Sequence, residues 1–407
     1  MWISGCRRGF LSLFTNGARQ RNNHMNIGCV GSGVEWRAGR GIRPPGAAAI
    51  AAVLLLCGSA SRTRAQGGQL GQPDSTGTIV GIVTTTEGGL PLPYSVVSVS
   101  AIGREQFSND QGVFTLGALH AGPTDIRIRH LGYTPVDMRV VVHAGRIDSV
   151  HIALTHIAVR LATMRVSGHT ECKNPGAPKR SADSAFATVF EQLRQNADQF
   201  RLLTATYPYV YAVERSFSTS LVNGDVKMGA VDTLAFASAD GWKYRPGTVV
   251  QREGVLHTLG FGTLTMHIPT LANFAEPAFI DNHCFYNSGI ENVDGADLLR
   301  IDFVAASKLS DPDVDGSMYL DPTNFEIRRS VVRLSRIPSG LAGLAETEAQ
   351  TYFGEVVTSV PVITGIMSVN RFVVRSRQPD AATSENEQQQ LVAFKFLHGK
   401  PGDIRKP

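Results

Sequence analysis

Three stretches of the chain combine side chains whose types and spacing suit chemistry. Asp311-Pro312-Asp313-Val314-Asp315-Gly316 opens like a calcium loop, with carboxylates on alternate residues and a glycine for the turn. The twelfth position of such a loop supplies a bidentate Glu, and here it is Pro322. Asp311, Asp313 and Asp315, with Asp321 nearby, therefore read as a weak calcium site or as a solvated hairpin turn. His283-Cys284 sets a base beside a nucleophile, but neighbours on a strand project to opposite faces, so the two cannot act on each other. None of the eleven His is followed by Glu three residues later, H-E-x-x-H is absent, and His169-Thr170-Glu171 has the wrong spacing for zinc. No catalytic residue, metal set or cofactor is expected. A hydrolase with a dispersed triad is the enzymatic alternative.

The elements that carry these residues are mainly β. The chain has 407 residues, 43% hydrophobic and 18% charged, with 41 Gly and 20 Pro, a turn-rich composition. Charge is uneven. Of 39 basic and 35 acidic residues, nine Arg and Glu35 lie in residues 1–65, leaving 30 basic and 34 acidic in the rest. The isoelectric point near 8.8 thus describes the leader, and the mildly acidic body has no electrostatic footprint for nucleic acid.

Residues 1–65 read as a secretory leader. Ala47–Cys57 is an uncharged apolar run after an arginine-bearing stretch, too short for a bilayer span and the length of a signal h-region. Thr63-Arg64-Ala65 places small residues for cleavage after Ala65. The alternatives are an uncleaved N-terminal anchor and, less favoured because Leu56 precedes Cys57, a lipoprotein. No transmembrane segment is expected after leader removal, and the exported chain is placed in the periplasm or at the outer membrane. Three of five Cys fall in the leader, so Cys172 and Cys284 are expected to form a disulfide, with two separate buried thiols as the alternative.

After a linker at 66–76, short β-rich runs alternate with turns from 77 to 155. Thr124–His130 sets Ile126 and Ile128 against Arg127 and Arg129, the period of a half-buried strand. About seven strands at this spacing predict a sandwich. Gly81, Val83, Pro91, Val97, Asp110, Gly112, Phe114, Gly122, Gly132 and Tyr133 follow the pattern of the carboxypeptidase regulatory-like, transthyretin-like domain, which the segment resembles. The resemblance implies a seven-stranded β-sandwich that accompanies catalytic domains and is not itself a peptidase. Val159–Gly168 resembles the strand that follows this domain in TonB-dependent receptors. The 230-odd residues beyond it are too few for a plugged barrel of about 22 strands, so 156–180 is expected to be a connecting strand and linker.

A second, larger β domain is expected at 181–400, ahead of a polar tail at 401–407. Phe186, Val189, Phe190, Leu193 and Ala197 form one apolar helical stripe, with Ser181 as its cap and Asp183 at its positive end. A long run of strands follows, which predicts a curved antiparallel sheet packed on one helix. Arg328-Arg329 are expected on opposite faces in surface or salt-bridged roles. Gly316–Arg329, with its Asp321-Pro322 turn, resembles the strand–turn–strand of LolA-like half-barrels. That resemblance implies an apolar concavity for acyl chains. Its lining candidates are Phe236, Trp242, Met266, Phe274, Phe303, Tyr319, Phe353 and Met367, which would equally form a closed core.

The functional expectation is a non-catalytic, secreted cell-envelope binding or scaffold protein whose sandwich meets an envelope protein or a glycan. The alternative is a periplasmic carrier of a lipid or other apolar ligand in the second domain. An aromatic-lined cavity of several hundred Å³ distinguishes the carrier, and a filled interior the scaffold.

Overall fold

The computed structural model describes residues 75–158, 171–238, 241–253, 263–338, 343–374 and 378–401. The leader, its cleavage site at Ala65 and the connecting strand Val159–Gly168 lie outside the described residues.

Seven short strands come first: β1 (Thr76–Thr85), β2 (Val96–Val99), β3 (Arg104–Phe107), β4 (Val113–His120), β5 (Gly122–Arg129), β6 (Val136–Val142) and β7 (Ile147–Leu154). They form two sheets, β4-β1-β7 and β3-β2-β5-β6, antiparallel except for the parallel pair β1 and β7. Alternate residues of each strand turn inward, so Ile79, Val83, Phe114, Leu116, Ile126 and Ile128 close one core between the sheets. Gly81 is required by that packing, because a Cβ there would lie 2.3 Å from the Phe114 ring. The run Tyr94–Ile102 yields only the four residues of β2. Tyr94 has φ +54, and a 3₁₀ turn at Ser100–Ile102 ends the strand.

The helix α1 (Ser184–Thr206) follows. Its cap is Asp183, whose carboxylate accepts the Phe186 N–H at 2.9 Å, and not Ser181, which lies two residues too early to reach the first turn. Phe186, Val189, Leu193 and Ala197 are buried against the sheet formed by the rest of the chain.

That sheet contains β8 (Tyr209–Leu221), β9 (Val226–Met228) and β10 (Asp232–Ala237). A separate hairpin, β11 (Val250–Glu253) and β12 (Thr263–Met266), and the single turn α2 (Pro277–Ile280) come next. The sheet resumes with β13 (His283–Val293), β14 (Ala296–Ala305), β15 (Val314–Leu320) and β16 (Ile327–Leu334). It ends with β17 (Leu344–Val357), β18 (Val360–Phe372) and β19 (Ala382–Phe396). Ten strands pair in the order β10-β8-β19-β18-β17-β16-β15-β14-β13, with β9 also on β8, antiparallel throughout. The arrangement is the mainly β architecture of sandwich plus curved sheet and one packed helix. β12 and β13 fall outside the runs that periodicity marks as strands, and the register of β13 shifts at a bulge between Asn287 and Gly289.

Cys172 and Cys284 form a disulfide with Cα atoms 5.6 Å apart. It ties the segment before α1 to the start of β13 across 112 residues, and closing so long a loop contributes on the order of 4 kcal/mol in the chain-entropy model.

The sandwich packs on α1. Val96 and Phe107 share a cluster with Leu202 and Leu203 of the helix and Val360 of β18. Gly132, at φ +82, donates its N–H to Gln192 Oε1 at 2.8 Å and lies so close to Asn324 that a Cβ would meet its carbonyl oxygen at 3.2 Å. Arg129 of β5 reaches Asp198 at 2.9 Å and Glu105 at 3.0 Å, while Arg201 reaches the same Glu105 at 2.7 Å.

On another side of the helix, Asn196 is fully buried. Its Nδ2 donates to Phe325 O at 2.8 Å, and its Oδ1 accepts the Ile327 N–H at 3.0 Å. Phe325 has φ +58, a conformation an aromatic residue adopts only when its surroundings hold it there. Asn196→Ala leaves two buried backbone groups unpaired, so it is expected to lower stability by about 3 kcal/mol. Urea unfolding of the full chain, followed by circular dichroism, reads this as a lower midpoint at unchanged slope.

Candidate functional site

α1 does not fill the whole concavity of the sheet. Its apolar stripe covers the side built from β13 to β17. Leu202 and Leu203 of its last turns pack with Tyr209 of β8 and Val360 and Val362 of β18, and beside that contact the helix and the sheet enclose a cavity of about 700 Å³. Phe200, Thr204 and Ala205 of the helix line one wall; Val213, Ile366 and Leu391 line the sheet side. Trp242, Thr270 and Asn273, from the segment between β10 and α2, line another wall.

Rings hold these walls apart. Tyr211 stacks on Phe236 at 5.4 Å between centroids, and Tyr209 lies 4.4 Å from Phe394. Trp242 stacks on His267 at 5.0 Å and 7°. Asn273 fixes the Trp242 segment: its Nδ2 donates to Trp242 O, and its Oδ1 accepts from the Thr270 N–H and hydroxyl. The charged lining groups are Arg201, Lys243 and Glu276. Burial raises the Glu276 carboxyl above its ordinary value, opposed by Asn273 and Lys243. Burial likewise pushes the Tyr209 phenol up. The lining is apolar with a few hydrogen-bonding groups, the composition of a small-molecule pocket.

The eight lining candidates separate. Phe236 and Trp242 line the cavity. Met266, Phe274, Phe303 and Phe353 lie in the closed core beside α1. Tyr319 and Met367 are on the other face of the sheet, because strand alternation puts Met318, Leu320 and Ile366 on the helix side. There Tyr319 packs on Leu298 and Val331 between the guanidinium groups of Arg300 and Arg329, and Met367 is 46% exposed. The lining residues Tyr209, Tyr211 and Val213 were missed, although their spacing of two in β8 marks them. Leu391 and Phe394 were harder to find, because a bulge between Leu391 and Ala393 breaks the alternation of β19.

The three carboxylates of the candidate calcium loop turn to different partners. Asp313 is buried, accepts from the Tyr244 hydroxyl at 2.6 Å and lies 3.5 Å from His283. Asp315 accepts the Ala305 N–H, and Asp311 meets the Ser310 hydroxyl. Among the described residues no group of three or more His, Cys, Asp or Glu side chains is placed to hold a metal ion. His283 is buried with its ring stacked on Phe279 at 3.9 Å, away from the disulfide of Cys284. Arg328 pairs with Glu326 and Asp321, and Arg329 with Asp294 and Gln350.

One perturbed carboxyl is Glu326. Burial, then a hydrogen bond and repulsion from Glu355, push it up to about 7, against the pull of Arg328. The pair does not line the cavity, and Glu326 sits beside the Asn196 junction. An acid whose folded pKa lies above its unfolded value near 4.5 binds an extra proton in the native state between the two values. Its contribution is full below about pH 4.5 and is lost as pH rises through about 7. Glu326→Gln is expected to flatten the fall in stability across that window, read from urea midpoints of variant and parent at matched pH.

Among described residues, no helix is long and apolar enough to cross a membrane. No curated protein matches the sequence. Among solved structures, this chain is similar to a putative outer membrane lipoprotein-sorting protein domain from Vibrio parahaemolyticus. The identity is 12% and the TM-score 0.26, over 52% of this chain and 94% of that one. It is similar to a LolA superfamily protein from Nitrosomonas europaea at 10% identity and TM-score 0.26, over 53% of this chain and 97% of that one. It is also similar to the Bacillus anthracis TIE protein at 14% identity and TM-score 0.19, over 40% of this chain but only 26% of that protein's length. Residues 78–155 match the model of the carboxypeptidase regulatory-like domain, the segment that folds as the seven-stranded sandwich.

Proposed function

We propose that this chain is an exported, non-catalytic cell-envelope protein that carries a lipid or other apolar ligand between α1 and its sheet. The cavity of about 700 Å³ carries the reading, because a scaffold has no use for an aromatic-walled void that the chain could have filled. Export is supported by the arginine-rich leader with its apolar run and by the disulfide, which persists in an oxidising compartment. The sandwich braces the helix that forms one cavity wall and leaves its outer strands to meet an envelope partner.

The test is displacement of the apolar fluorophore N-phenyl-1-naphthylamine from the full mature chain. Straight-chain alcohols of increasing length are expected to displace it with affinity rising up to about fourfold per added CH₂ until the cavity is full. Ala205→Trp, which fills the mouth from an exposed helix position, is expected to weaken the fluorophore about tenfold with the circular dichroism spectrum unchanged. Affinity independent of chain length would overturn the carrier reading.

A further inference from the structure

The sandwich is the outer support of the cavity wall. Val96 and Phe107 of the sandwich share one apolar cluster with Tyr209, Tyr211, Val362 and Phe394, all of which line the cavity. Glu105 of β3 holds Arg201, which also lines it, at 2.7 Å. Phe200, Thr204 and Ala205 line the cavity from the same turns of α1 whose Asp198, Leu202 and Leu203 meet the sandwich. A movement of the sandwich against α1 therefore moves the support of the cavity.

The contact itself is not built as a core. Gln192, Gln195, Gln199 and Leu202 fall at i, i+3, i+7 and i+10 of α1, on one face of the helix. The sandwich reaches both ends of that face, through the Gly132 N–H on Gln192 and through Val96 and Phe107 on Leu202. Gln195 and Gln199 are buried in between, yet Gln195 Nε2 and both polar atoms of Gln199 have no hydrogen-bond partner among the described residues. Nε of Arg129, on the sandwich side, is buried without one as well. Such amides give up water and gain nothing in return, and a permanent core would place Leu there. Lifting the sandwich returns these atoms to water, which brings the docked and lifted arrangements towards balance.

We infer that the sandwich is a movable brace: docked on α1 it holds the cavity closed round its ligand, and lifted it lets the ligand go. The inference rests on the carrier reading and adds the regulation of that site. A ligand that fills the space against Tyr209 and Val362 supports the cluster on which Val96 and Phe107 sit, and so favours docking. By linkage, docking raises the affinity for the ligand by the same factor.

Spin labels on Ile102→Cys of the sandwich and Val392→Cys of β19, both exposed positions, report the distance between the two parts in the full mature chain. The parent is expected to show a docked distance and a second, longer one, and saturation with N-phenyl-1-naphthylamine to deplete the longer one. Gln195→Leu combined with Gln199→Leu removes the unpaired amides. The pair is expected to lower the longer population and the fluorophore's dissociation rate together, each about tenfold. Glu105→Gln, which leaves the sandwich core untouched, is expected to raise both about threefold. A single distance in the parent, or populations that shift while the dissociation rate stays constant, overturns the inference and leaves the carrier reading standing. Failure of the fluorophore to bind the parent overturns the carrier reading and the coupling with it, while the labels still show whether the sandwich lifts.

Discussion

The side chain of Asn196 joins the two halves of the cavity-bearing fold. A helix and a sheet have no backbone hydrogen bonds to share, and apolar packing alone tolerates sliding. Asn196 removes that freedom, because one buried amide pairs with the carbonyl of Phe325 and the N–H of Ile327, on either side of Glu326. The cost of leaving either group unpaired in the interior fixes both the height and the rotation of α1. The left-handed backbone of Phe325 survives for the same reason, and it turns the chain from β15 into β16.

The position of the helix determines where space is left. Ala197 closes the stripe that meets β13 to β17, and the next apolar pair, Leu202 and Leu203, turns instead to the sandwich and the β17–β18 hairpin. The sheet continues past the helix through β18, β19, β8 and β10. Beyond the stripe, Leu202 and Leu203 pack with Tyr209 of β8 and Val360 and Val362 of β18, while Phe200, Arg201, Thr204 and Ala205 stand at the cavity wall. The cavity lies beside that contact, where one helix serves a ten-stranded sheet. Arg201 shows the same division of labour, since it lines the cavity and is bound to Glu105 of the sandwich.

Much of this architecture is legible in the residues. Alternation in β5 and the glycine-rich turns mark the sandwich, and the spacing of Phe186 to Ala197 marks the helix and its buried face. The site is less legible because strand alternation decides lining, and bulges shift it. Tyr319 and Met367 are as apolar as their neighbours Met318 and Ile366, yet one residue of register sends them to the opposite face. The bulge in β19 hides Leu391 and Phe394 in the same way. Asn196 and Gln192 could not be found by periodicity at all. A polar residue inside an apolar helical pattern reads as solvent-facing until a second element is known to cover it.

The cross-link between Cys172 and Cys284 encloses α1 and every strand from β8 to β12 within one covalent ring. The helix, the β8 floor and the Trp242 wall all belong to that ring. A single cleavage anywhere inside it leaves the pieces fastened to one another through the sulfur bridge. The cavity is thus fenced at its base, and a protease that nicks the ring frees none of those walls.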